Sequence, residues 1–208
     1  MFIFEFNKIS VLNYLAHIFL SGNQPGIMTG NFIGDFVKGN KYNQYPPHIR
    51  NGIILHRKID AFTDSHEDFK SIVKILQPEF GRYSAIIADM YIDHLLAIHF
   101  KQYAGNSLFI FSMKFNVIVL CNYFFLPKRV KRFIFHFTGT NRLYKYKTPK
   151  GLQESLQIMA NYKIPQLNPD KSITFLKSNL KLIEPFFHLL MQDIINFAKN
   201  ERMILLYQ

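Results

Sequence analysis

The chain has 208 residues, enough for one domain with a sizeable core but not comfortably for two. Apolar residues make up 49% and aromatic residues 16%, including 22 Phe, which excludes an intrinsically disordered chain. The net charge of +11 is uneven, since residues 1–100 carry 9 Lys/Arg against 9 Asp/Glu and residues 101–208 carry 16 against 5. The basic back half suits a polyanionic partner. The single Cys121 excludes an intramolecular disulfide and fits a cytoplasmic setting. The start, MFIFEFNKISVL, lacks a basic leading region and a small-residue cleavage site, so it does not read as a secretory signal.

In chain order, VLNYLAHIFL (11–20) predicts a first helix and SGNQPG (21–26) a turn. A short helix follows over 27–38, ending at Gly39, and YNQYPP (42–47) reads as a loop. Ile49, Ile53, Ile54 and Ile59 suit a helix from His48 to about Asp60. Another is expected over 63–76, capped by Asp64 or Ser65 and ended by Pro78. Residues 83–103 predict one long buried helix. LFIFSMKFNVIVLCNYFFL (108–126) approaches the length that spans a bilayer, yet Lys114, Asn116 and Asn122 interrupt it. It reads as a buried helix, and no membrane span is expected. Basic KRVKR (128–132), a helix over 148–163, and one or two closing helices over 170–207, with a possible break before Pro185, complete an all-α, single-domain bundle.

Six of the eight histidines and six of the eight aspartates precede residue 101. His56 and Asp60 stand at i and i+4, as do Asp89 and Asp93, so each pair shares one helix face. IIADMYIDHLLAIHF offers few polar neighbours to Asp89 and Asp93, and buried carboxylates need compensation. Arg57 and Lys58 could supply it as ion pairs. A divalent metal is the other choice, and mixed His/Asp ligation suits Mn²⁺, Fe²⁺ or Zn²⁺. His17 in its apolar run reads first as a hydrogen-bonded core histidine, Asp64 as a cap, and His66, Glu67 and Asp68 as a solvated face. His48, His136 and His188 are read as structural.

Four stretches carry a resemblance: NYLAH (13–17), GNFIGDFVKG (30–39), HRKIDAFTD (56–64) and DMYIDHLLA (89–97). In this order they are similar to successive motifs of the acyl carrier protein phosphodiesterases. The resemblance implies an all-helical fold like that of the HD-domain phosphohydrolases, although the adjacent His-Asp pair of those enzymes is absent and Asp93-His94 has the reverse order. It implies a divalent cation, commonly Mn²⁺, and hydrolysis of the phosphodiester that joins 4′-phosphopantetheine to a serine of holo acyl carrier protein, a reaction of fatty-acid biosynthesis. Its expected metal ligands are Asp35, His56, Asp60 and Asp93, with His17 behind them. Asp89 and His94 are the expected proton-transfer residues, Asp64 a cap or supporting acid, and Lys38 and Arg57 the expected phosphate contacts.

An acidic carrier protein would give the basic half a purpose, with KRVKR, Arg142, Lys145, Lys147 and Lys150 steering it electrostatically. Family members begin directly before the first motif, so residues 1–12 are expected to be an extension, or translation to start at Leu12, leaving 13–208 as the catalytic domain. Two other readings are a phosphohydrolase of nucleotides or other small phosphoesters, and a non-enzymatic nucleic-acid-binding protein. No nucleic-acid recognition motif is visible.

Overall fold

The computed structural model describes residues 14–162 and 164–206, and every regular element among them is helical. The expectations for residues 1–12 lie outside the described residues.

Helices α1 (Tyr14–Leu20) and α2 (Pro25–Ile33) are joined by a tight turn through Gly22 at φ +69°. Pro25 starts α2, where its missing N–H costs nothing. Every residue of α2 from Gly26 to Ile33 is buried, so this helix is enclosed on all sides. The predicted helix over 27–38 stops early, in a 3-10 turn at Gly34–Phe36. Beyond the turn, the Arg57 guanidinium donates to the carbonyls of Val37 (2.9 Å) and Gly39 (2.6 Å) and holds the following segment in place.

Helix α3 (Pro47–Ser65) runs through the predicted break near residue 61, because AFTDS contains no Gly or Pro to interrupt it. Asp64 is therefore an exposed residue within α3 and does not stand at the N-cap of the next helix. The cap of α4 (Glu67–Phe80) is His66, whose Nδ1 accepts the Asp68 N–H at 3.2 Å. Its Nε2–H donates to Asp193, also at 3.2 Å, so His66 is tied down and is not the loose surface residue expected. Helix α4 passes Pro78 and ends at Gly81, whose φ of +52° favours glycine.

The long helix predicted over 83–103 is divided at His99 into α5 (Ser84–Ile98) and α6 (Phe100–Ala104). Ser107 Oγ caps α7 (Leu108–Cys121) by accepting the Phe109 N–H at 3.2 Å. No described helix is long and apolar enough to cross a membrane. Helix α7 buries Phe111, Phe115 and Val119 but exposes Phe109, Ile110 and Val117, so it belongs to the outer layer and is not the fully buried helix expected.

Short helices α8 (Lys128–Lys131), α9 (Ile134–Gly139) and α10 (Arg142–Lys145) lead to α11 (Pro149–Tyr162) and α12 (Pro169–Leu206). Helix α12 is continuous through Pro185, without the predicted break. Arg142, expected on a docking surface, is buried and bonded to Glu154 (3.1 Å) and Ser155 (2.7 Å). Lys145 is likewise paired with Glu154 at 2.9 Å, while Lys128, Arg129, Arg132, Lys147 and Lys150 are exposed.

Helices α2 and α5 form the centre. Helix α3 lies along α2, α1 bridges α2 and α5, α7 covers another side of α2, and α12 packs across α3, α4, α5 and α11. Two glycines let α2 and α3 touch backbone to backbone. A Cβ on Gly30 would lie 2.0 Å from the Ile49 carbonyl oxygen, and one on Gly52 would lie 2.4 Å from that of Ile27. This contact sets the depth at which the polar residues of α2 and α3 meet.

Candidate metal centre

Helix α3 projects His56 and Asp60 from one face, a turn apart. Helix α1 brings His17, α2 brings Asn31, and the 3-10 turn after α2 brings Asp35. A Cβ on Gly34 would fall 2.3 Å from His56 Cγ, so only glycine lets that turn carry Asp35 past the imidazole. The rings of His17 and His56 stack with centroids 4.1 Å apart and planes at 27°.

Asn31 decides what these rings can do. Its Nδ2 donates to the His17 carbonyl (2.8 Å) and to Ser21 Oγ (2.9 Å), and the Ser21 hydroxyl donates to that same carbonyl (2.8 Å). The amide orientation is thereby fixed, with Oδ1 aimed at the imidazoles. Nδ1 of His17 lies 2.8 Å from Oδ1 and Nδ1 of His56 lies 3.1 Å from it. Oδ1 can only accept, so both rings donate Nδ1–H to it. In the neutral state both Nε2 atoms then carry lone pairs.

Those lone pairs face carboxylates. His17 Nε2 is 3.2 Å from Asp60 Oδ1, and His56 Nε2 is 3.4 Å from Asp35 Oδ1 and 3.5 Å from Asp60 Oδ2. His56 Nε2 is buried with no hydrogen-bond partner. Acceptors facing acceptors repel unless a proton or a cation lies between them. Nitrogen and carboxylate donors are the set a divalent transition metal takes, and the chosen tautomers offer it both Nε2 atoms. His17, His56 and Asp60 have ligand atoms close enough to share one ion, with Asp35 beside His56.

The electrostatics agree. Burial alone draws the His56 pKa down, but the neighbouring carboxylates of Asp35 and Asp60 outweigh it and hold it above the ordinary value. Burial pushes Asp60 up, yet the hydrogen bond and charge of His17, with the charge of His56, leave it below the ordinary carboxylate range.

The other expected site residues are placed differently. Asp93 is completely buried, and its two oxygens accept the N–H groups of Leu15 (2.9 Å) and Ala16 (2.8 Å). It caps the start of α1 from across the core, where it was expected among the metal ligands. Asp89 is half-buried and lines a small cavity of about 30 Å³ with His17, Thr63 and Met191. His94 is buried and donates Nδ1–H to the Tyr146 carbonyl at 2.6 Å, away from the cluster. Burial lowers its pKa, with the Tyr146 bond acting the other way. Arg57, expected to meet phosphate, clamps the turn carrying Asp35 and lies over the Tyr42 ring at 4.8 Å. Lys58 pairs with Glu201 at 2.6 Å, so neither cation neutralises Asp93. Lys38 is exposed just beyond the turn. Asn31 escaped the sequence reading, although its place inside the GNFIGDFVKG stretch was the available signal.

This all-helical scaffold brings two imidazoles and a carboxylate together, with a second carboxylate beside His56, in a group that could hold a metal ion. The chain belongs to the acyl carrier protein phosphodiesterase family, whose sequence profile matches residues 12–194. Curated relatives named acyl carrier protein phosphodiesterase include one from Pectobacterium atrosepticum, 40% identical over 96 residues (46% of this chain, 50% of the relative). The Yersinia pestis protein is 37% identical over 95 residues (46% and 49%), and that of an Enterobacter species 36% over 91 (44% and 47%). The chain thus spans about half the length of the curated relatives it matches. No solved structure matches it.

Removing the shared acceptor tests the tautomer argument. Asn31→Ala is expected to weaken Mn²⁺ or Zn²⁺ binding by about 10–100-fold, the usual loss when a ligand's orienting partner goes. Isothermal titration, beside circular dichroism to establish folding, measures it.

Proposed function

We propose that the protein is a metal-dependent phosphodiesterase that releases 4′-phosphopantetheine from holo acyl carrier protein, with residues 13–208 as its catalytic domain. The observation that carries this reading is the pair of Nε2 lone pairs held toward Asp60 and Asp35, in a chain of this family. His17, His56 and Asp60 hold the cation, and Asp35 completes or supports the set. A divalent cation bound there supplies a water of lowered pKa and offsets charge on the phosphoryl oxygens; Mn²⁺ suits this donor set.

The chain's own residues supply the rest. Asn31 takes the Nδ1–H of both imidazoles, so each neutral ring presents Nε2 to the cation. Asp60 stays anionic at neutral pH, and Asp35, on the open side of His56, accepts a proton from the attacking water. Lys38 meets the phosphate. Water adds to phosphorus, the bond to the carrier's serine oxygen breaks, and that oxygen takes a proton. The exposed Lys128, Arg129 and Arg132 steer the acidic carrier, with Arg142 withdrawn from that role by its burial.

Mass measurement of holo carrier protein, incubated with the protein and Mn²⁺ and again with EDTA, tests the proposal. Loss of the phosphopantetheine mass only with Mn²⁺ is expected. Unchanged carrier beside hydrolysis of a nucleotide panel would overturn it.

The pH dependence follows from the same groups. His56 holds a proton more tightly than free imidazole, so a cation must displace it. Below the His56 pKa, metal affinity is expected to fall about tenfold per pH unit for each proton displaced. Proton release in weak buffer checks the count.

A further inference from the structure

A second set of imidazoles and a carboxylate lies outside the centre described above. Helix α12 places Glu184 and His188 a turn apart, and the division between α5 and α6 presents His99 to them. His99 Nε2 is 2.7 Å from Glu184 Oε1, and His188 Nε2 is 4.0 Å from the same oxygen. The two rings do not stack; their centroids are 5.0 Å apart and their planes at 68°. His188 Nδ1 is held 2.5 Å from the Tyr103 hydroxyl, the kind of bond on the far nitrogen that orients a metal-binding imidazole.

We propose that His99, Glu184 and His188 form a second divalent-cation site, of the zinc type, which cross-links the α5–α6 junction to α12. The three ligand atoms lie within 4.8 Å of one another. Zinc bound tetrahedrally at about 2.0–2.1 Å requires ligand-to-ligand edges of about 3.3 Å. The observed 2.7 and 4.0 Å edges bracket that value, so rotation of partly exposed side chains suffices. Exposures of 25%, 32% and 34% for His99, Glu184 and His188 leave room for water as the fourth ligand. Two imidazoles and one carboxylate favour Zn²⁺ over Mg²⁺ or Ca²⁺, which prefer oxygen alone.

The location gives the site a use. Pro185 follows Glu184 inside α12, where a proline removes a backbone N–H and weakens an ordinary helix. A cation bridging this turn to His99 braces α12 at the point where its own ladder is interrupted.

Full-length protein stripped of metal and titrated with Zn²⁺ in a calorimeter tests the site. Wild type is expected to take up two equivalents. Glu184→Gln and His188→Gln, at partly exposed positions, should each take up one and lose most of the zinc-induced rise in Tm, while unfolding at the wild-type temperature without zinc. Asp60→Asn should lose the other equivalent, so the two centres fail independently. Unchanged stoichiometry in both α12 variants, or a wild type whose only equivalent depends on Asp60, would overturn the proposal.

Discussion

Asp60→Asn is expected to lower kcat/KM for release of the carrier's prosthetic group by about a thousandfold, roughly 4 kcal/mol of lost transition-state stabilisation. Asp60 is placed against both imidazoles, at 3.2 Å from His17 and 3.5 Å from His56. Asparagine keeps its shape and removes its charge. Its amide nitrogen can donate to a bare Nε2 lone pair, which relieves the contact that otherwise calls for a cation. The variant should therefore fold, with an unchanged far-UV circular dichroism spectrum, and fail to take up metal. Steady-state kinetics together with metal analysis decide the matter: an Asp60→Asn enzyme with full metal content and rate would place the chemistry elsewhere.

The second large effect is on stability. Asp93→Ala is expected to cost about 3–5 kcal/mol, because it orphans two buried N–H groups at the start of α1 and opens a cavity beneath them. Helix α1 has only 7 residues, too few to persist without tertiary support. The same carboxyl sets a pH trend. Burial raises its pKa to about 7, against the pull of the Ala16 and Leu15 amides and the charge of His17. The folded state then binds the proton more tightly than the unfolded chain, so this group's contribution to stability falls as pH rises from about 4 to about 7. Asp93→Asn should remove that slope while losing one of the two amide bonds. Urea unfolding across pH 4.5 to 8 measures both effects.

The all-helical reading holds throughout the described residues, because the apolar periodicity of this chain is strong. Helix ends were less legible. The expected end near residue 61 has no breaker behind it and α3 runs on, while at Pro185 packing carries α12 past a real one. The division at His99 has no breaker beside it in sequence, and it falls where the side chain engages Glu184, a partner 85 residues away.

The pairing of His56 with Asp60 was visible as a spacing of four, while Asp35 and His17 entered only through the motifs that hold them. Asp93 shows where spacing runs out. A buried carboxylate aimed at a cation and one aimed at a helix start look alike in sequence, since both are acids in an apolar run. His188 reads as structural in sequence although Glu184 stands four residues before it. Asn31 carries no charge to mark it in sequence, and its importance lies in four simultaneous hydrogen bonds.

That one amide also gives the centre a direction. With both Nδ1–H groups turned inward to Asn31 and the imidazoles only 5% exposed, their protein-facing edge is closed. Asp35 and Asp60 are 17% and 28% exposed, so solvent reaches the site across the carboxylates. Arriving ions, departing protons and an incoming phosphate would meet the site at this edge, and a ligand already seated there hinders exchange of whatever lies behind it.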